Sequence, residues 1–159
     1  MTNSLTQRNI RPAIGQAAFL PNQPIIHNCV VDPTATEAIQ IGDAVAFAET
    51  DLVDLTVVKK AAASDLAIGV VVYNAIKSAF DTYERVSVFP VNSYVYLPAG
   101  AANLTLGAKV ALNTDGQVIA AEGNSIGILW TQPAEVGSMV AVQIAPAEGE
   151  TSTEETTGA

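Results

Sequence analysis

Short valine-rich runs separated by Gly, Asn, Asp and Pro fill the middle of the chain, and in the clearest of them apolar and polar positions alternate. Between Ser138 and Ile144, the side chains of Val140, Val142 and Ile144 fall on one face, with Met139, Ala141 and Gln143 on the other. That is the period of two a strand imposes. The same pattern predicts strands at 44–47, 57–59, 67–73, 85–91, 94–97, 109–112, 117–120, 126–130 and 138–144. Asn113-Thr114-Asp115-Gly116 reads as a hairpin turn, with Gly116 free to take the positive φ such loops need. Many short strands bounded by turn residues imply an all-β fold, a small barrel or sandwich of short antiparallel strands.

The runs also repeat. Ile41–Phe47 (IGDAVAF) resembles Leu106–Leu112 (LGAKVAL); Val58 then matches Val118, Ile68-Gly69 matches Ile126-Gly127, and Val86 and Val88 match Val140 and Val142. The matches are collinear and every connection is shorter in the second copy, as expected when strands are kept and surface loops vary. The body is therefore read as an internally duplicated β unit.

Three regions separate by composition. Residues 1–27 hold Pro12, Pro21 and Pro24, no carboxylate and the cations Arg8 and Arg11, without a sustained period of 2 or 3.6, and are read as an extended N-terminal arm. Its apolar residues, among them Ile10, Ile14, Phe19 and Leu20, are too many for a solvated linker, so the arm is expected to lie along a surface, its own or a neighbour's. Residues 28–146 form the β body. Residues 147–159 carry four Glu and no cation, the composition of a disordered acidic tail.

A formal charge of −9 with only seven Lys plus Arg argues against direct nucleic-acid contact, since phosphate binding needs a basic face. No run reaches the roughly 18 apolar residues of a spanning helix, and no signal peptide or membrane partner is expected. The lone Cys29 excludes an intrachain disulfide and a thiolate metal cluster.

No constellation of catalytic residues emerges. The single histidine, His27, lies two residues from Cys29, where an unbroken strand would point both to one face, but only Asp32 is near enough in sequence to orient them. The carboxylates Asp43, Glu49, Asp51, Asp54, Asp65, Asp81 and Glu84 sit mostly in loops, and the spacing from Asp51 to Asp54 lacks the acidic ladder and central Gly of a calcium loop. The glycines fall at strand starts, not in a phosphate-cradling cluster. No catalytic residue, metal or cofactor is assigned, and the chain is expected not to be an enzyme. Tyr94, Tyr96 and Trp130 would suit a carbohydrate or host-surface binding module if exposed together, and otherwise a core or subunit contact.

The segments IGDAVAF at Ile41–Phe47, LAIGVVVYNAIKSAFDTYERVSVF at Leu66–Phe89, LGAKVALNTDGQV at Leu106–Val118 and IGILWTQPAEVGSMVAVQI at Ile126–Ile144 resemble the capsid decoration, or structural cement, proteins of tailed bacteriophages. The resemblance implies a non-enzymatic virion protein, made in the host cytoplasm, that binds the outer capsid surface, commonly as a trimer, and reinforces contacts between major capsid subunits. Under that reading Arg8, Ile10, Arg11, Ile14, Phe19 and Leu20 are the expected contacts to the major capsid protein or to neighbouring copies. The arm and the acidic tail have no counterpart in the family pattern.

Overall fold

The computed structural model describes residues 12–145, which contain twelve strands and no helix. In chain order these are β1 Ile26–Val31, β2 Ile39–Gln40, β3 Ala44–Phe47, β4 Thr56–Lys60, β5 Gly69–Val71, β6 Ala79–Phe80, β7 Arg85–Pro90, β8 Tyr94–Pro98, β9 Lys109–Leu112, β10 Val118–Ala120, β11 Gly127–Leu129 and β12 Met139–Ile144. Each predicted strand is present, with ends shifted by a residue or two. The hairpin between β9 and β10 is also as expected: Gly116 has φ +74°, and Asn113 Oδ1 accepts hydrogen bonds from the backbone N–H of Asp115 and Gln117.

The first half closes as a barrel in the order β1-β4-β3-β5-β7, and the second is a sheet in the order β10-β9-β11-β12-β8, with β2 and β6 as a small added pair. Not every pairing is antiparallel. β1 runs parallel to β4, through Cys29–Thr56, Val30–Val57 and Val31–Val58, and this pairing closes the barrel. Its interior is aliphatic, with Val31, Val45, Val58, Val71, Val86 and Val88 packed together with Cys29, Ile39 and Phe80.

The duplication is present in the hydrogen-bond register. Val45 pairs with Gly69 and Lys60, as Val110 pairs with Gly127 and Ala120. Cys29 pairs with Val86, as Leu97 pairs with Val140. Even the closing strand repeats, because Asp32 N–H donates to Val58 O as Gly100 N–H donates to Val118 O, the latter beside a single parallel bridge between Ala99 and Val118. The two glycines that the repeat aligns do the same work. A Cβ on Gly69 would lie 2.3 Å from Phe89 O, and one on Gly127 would lie 2.0 Å from Gln143 O. Only a residue without Cβ lets β5 and β11 come this close to β7 and β12.

The halves pack through one face of the first. Ala44, Val70 and Phe89, outward on β3, β5 and β7, are buried in one cluster with Val95, Leu97, Val110, Leu129, Val140 and Ile144 of the second half. Removing this much apolar surface from water is the main force holding the halves as one body.

The described part of the arm lies against this body. Gly15 N–H donates to Tyr96 O, Tyr96 N–H to Gln16 O and Ala18 N–H to Tyr94 O, so residues 15–18 pair with the free edge of β8. On its other side Gly15 O accepts from Tyr73 N–H, and Ile14 packs over Gly42, tying the strap to the first half as well. Gln23 then brackets Tyr94, its Nε2 donating to Tyr94 O and its Oε1 accepting from Tyr94 N–H. An exposed strand edge invites pairing with another chain. Here the chain covers that edge itself.

Candidate functional site

The groups that could support catalysis are dispersed or already engaged. His27 and Cys29 do not share a face: one extra residue is bulged between Ile26 and Cys29, and Asn28 has φ +67°. The bulge breaks the alternation on which the shared face depended, leaving His27 exposed beside Ser87 Oγ at 3.1 Å and Cys29 buried, its thiol pKa raised by burial. Asp32 Oδ1 accepts from Thr34 N–H, Thr34 Oγ1 and Thr50 Oγ1, and the Thr34 backbone bond is the main cause of its lowered pKa. Asp43, raised by burial, accepts from Gln40 N–H and pairs with Lys60 at 3.6 Å. Asp65 holds Ala62 N–H and pairs with Lys59 at 3.2 Å, and Glu84 pairs with Lys77. These carboxylates staple turns. Among the described residues no group of three or more His, Cys, Asp or Glu is placed to hold a metal ion.

An exposed aromatic cluster is the more distinctive feature. Phe19, Tyr94 and Trp130 meet edge to face, with ring centroids 5.7 Å apart for Phe19–Tyr94, 6.3 Å for Phe19–Trp130 and 5.3 Å for Tyr94–Trp130. Together with Leu20 they line an open cleft of about 230 Å³. Phe19, Leu20 and Trp130 are 55%, 52% and 48% exposed, high for large apolar side chains gathered in one place. Phe19 takes φ +56°, a conformation that costs a bulky residue energy and is held only when its surroundings demand it. Those surroundings are the strap anchored by Ala18 on one side and Gln23 on the other. Trp130 is steadied from behind, its indole N–H donating to Gln143 Oε1 at 3.0 Å.

Of the six contact residues expected from the sequence, Arg8, Ile10 and Arg11 lie outside the described residues. Ile14 is partly buried against the core, whereas Phe19 and Leu20 project into the cleft. The aromatic trio expected for a sugar site divides too: Tyr94 and Trp130 meet, while Tyr96 takes no part in the ring contacts and Phe19 holds the third place. Their meeting follows from strand order. Tyr94 pairs with Gln143, and Leu129, just before Trp130, pairs with Val142. No local motif announces it, since the three rings come from the arm, β8 and the end of β11.

No family model and no curated protein matches the chain. Among solved structures, the fold is similar to that of the N base of head fiber gp8.5 of bacteriophage phi29, with a TM-score of 0.54 at 16% identity, covering 80% of this chain and 99% of that one.

Proposed function

We propose that this protein is a non-enzymatic structural component of a tailed-phage virion, bound as a homo-oligomer, a trimer, to the outer capsid surface, where it decorates or cements contacts between major capsid subunits. The observation that carries the reading is the likeness to a phage head fiber base, which takes in nearly the whole of that chain and four fifths of this one. The exposed Phe19–Tyr94–Trp130 cluster adds support, because a virion protein acts by contact and exposed aromatic anchors are how many contacts are made. On this reading Phe19 and Leu20, with Arg8, Ile10 and Arg11 from the segment before the strap, meet neighbouring protein, and repetition of one weak contact over a symmetric shell supplies avidity.

A glycan-binding module fits the cluster less well. Sugars stack on the open face of a ring and need polar partners for their hydroxyls, yet these rings stand 61–80° to one another and the Trp130 N–H is already committed to Gln143.

Co-sedimentation with empty shells of the major capsid protein from the same genome tests the proposal. Saturable binding of the full chain supports it, and recovery of all the protein in the supernatant at micromolar concentration rejects it. A truncation used to locate the contact should remove only residues 1–11. A longer one would strip the strap from β8 and expose an edge that aggregates for reasons unrelated to shells.

A further inference from the structure

Two residues along β8 from Tyr94, Tyr96 helps to line a second open cleft, of about 700 Å³, together with Pro12 at the start of the strap and Gln132, Glu135, Val136 and Met139 from the loop and strand that follow β11. Val136 is 58% exposed, and Glu135, the one carboxylate in the lining, forms no ion pair among the described residues. A turn delivers the chain to this cleft. Gln16 N–H donates to Ala13 O, Gln16 Oε1 accepts from Ala13 N–H, and Gly15, the third residue of the turn, takes φ +76°. A positive φ at that place calls for glycine, and a Cβ there would also lie 2.7 Å from Val71 O. The turn ends the pairing with β8 and sets Pro12 in the cleft lining, so residues 1–11, which precede the described residues, start from the cleft itself. Their composition complements it: Leu5 and Ile10 are apolar, Arg8 and Arg11 are cations, and there is no carboxylate.

We propose that this cleft is the seat of the chain's own residues 8–11, with Ile10 against Val136 and Met139 and the Arg8 and Arg11 guanidinium groups within reach of Glu135. Attachment selects the occupant. Four residues extend at most about 14 Å from Pro12, so they stay in its neighbourhood. A tether this short gives a local concentration in the millimolar range, roughly what the same segment of another molecule would have to exceed to take its place. Charge selects it as well, because Arg11 is bonded directly to Pro12 and faces a cleft whose one ionisable carboxylate has no other cation paired to it. The inference goes beyond the proposed function and concerns the free protein whether or not it binds shells. Where both hold, a neighbour must displace residues 8–11 before Arg8, Ile10 and Arg11 can reach it, so the contact between molecules competes with an internal one.

Val136→Cys places a reporter thiol in the cleft at an exposed position, where the change does not threaten the fold. The native Cys29 competes little, being buried with its thiol pKa raised by that burial. Maleimide labelling of the variant is timed in the full chain and in the chain lacking residues 1–11, over a range of protein concentrations, with circular dichroism confirming the β fold of each. Labelling is expected to be several-fold slower in the full chain at every concentration, and Ile10→Ser should restore the faster rate. Equal rates in the full and shortened chains overturn the proposal. Protection that appears only as the concentration rises overturns it too, since the segment then comes from another copy. The double variant Ile10→Cys, Val136→Cys gives a second measurement. Oxidation should yield an intrachain disulfide that runs as a monomer on a denaturing gel, whereas a disulfide-linked dimer moves the segment to a neighbour and rejects the internal seat. Shell co-sedimentation of the full chain is a separate readout, so failure of the capsid reading leaves these outcomes unchanged.

Discussion

The first half of the molecule closes its barrel with a strand of its own, whereas the second leaves the ring nearly open and borrows an edge from the arm. β1 lies parallel to β4 over three paired residues, but the corresponding approach of β8 to β10 is a single bridge at Ala99–Val118. Ahead of that bridge, Tyr94 and Tyr96 turn their backbone groups to the strap at 15–18. The same β unit therefore solves its edge in two ways, by closure and by cover. The two faces differ in the same sense. The first half hides its outward row against the inner face of the second, whereas the second half's own outward row at Lys109, Ile128, Gln143 and Tyr94 points the opposite way and stays partly exposed.

The largest expected effects probe what the halves have in common. Gly69→Val and Gly127→Val each drive a side chain into the backbone carbonyl of the neighbouring strand, at Phe89 and Gln143, where no rotamer change gives relief. Each should cost about 3 kcal/mol or more in urea unfolding. A difference between them larger than about 1 kcal/mol would break the equivalence of the halves at their closest strand contact.

A smaller pair of effects isolates the strap. Gly42 and Gly107 are counterparts with φ +83° and +77°, so an Ala at either carries the same left-handed strain, about 1 kcal/mol or slightly more. Space distinguishes them. A Cβ on Gly42 would lie 2.3 Å from Ile14 Cγ2, while one on Gly107 meets nothing within 4 Å. Gly42→Ala should thus destabilise by about 1 kcal/mol more than Gly107→Ala, and most of the excess should vanish when Ile14 is also Ala, leaving the milder 3.3 Å approach to Leu97 Cδ2. An excess that persists undiminished in the Ile14→Ala background would place the cost in the turn or against Leu97 and not in the strap.

How much of this was readable before the structure depended on the reach of each signal. Alternation and Gly spacing are local, so the Val140–Ile144 face, the Asn113–Gly116 turn and the matched Ile68-Gly69 and Ile126-Gly127 pairs were all visible in the sequence. β1 was not, because the bulge at Asn28 puts one residue too many between Ile26 and Cys29 and destroys the period that identifies a strand. β2 and β6, two residues each, are too short to display a period at all. The parallel approach of β1 to β4 and the meeting of Phe19, Tyr94 and Trp130 are products of strand order, and composition carries no record of which strands become neighbours.

The smallest expected effect concerns a turn at which the two copies have diverged. Tyr83 N–H donates to Val31 O, and at the matching position Gly137 N–H donates to Ala99 O. Both residues sit at positive φ, +65° for Tyr83 and +87° for Gly137, so the turn demands a left-handed residue in each half and only the second supplies a glycine. Holding a tyrosine there costs about 1–2 kcal/mol, against which glycine's greater freedom in the unfolded chain sets about 0.5–1 kcal/mol. Tyr83→Gly should therefore stabilise the protein by about 0.5–1 kcal/mol, and Gly137→Tyr should destabilise it by a similar amount, both read from urea midpoints at unchanged slope. The Tyr83 ring is largely exposed, so little packing is lost with it. If Tyr83→Gly is instead destabilising by more than about 1 kcal/mol, the ring contributes contacts that outweigh the strain, and the turn in the first half has acquired a role its counterpart lacks.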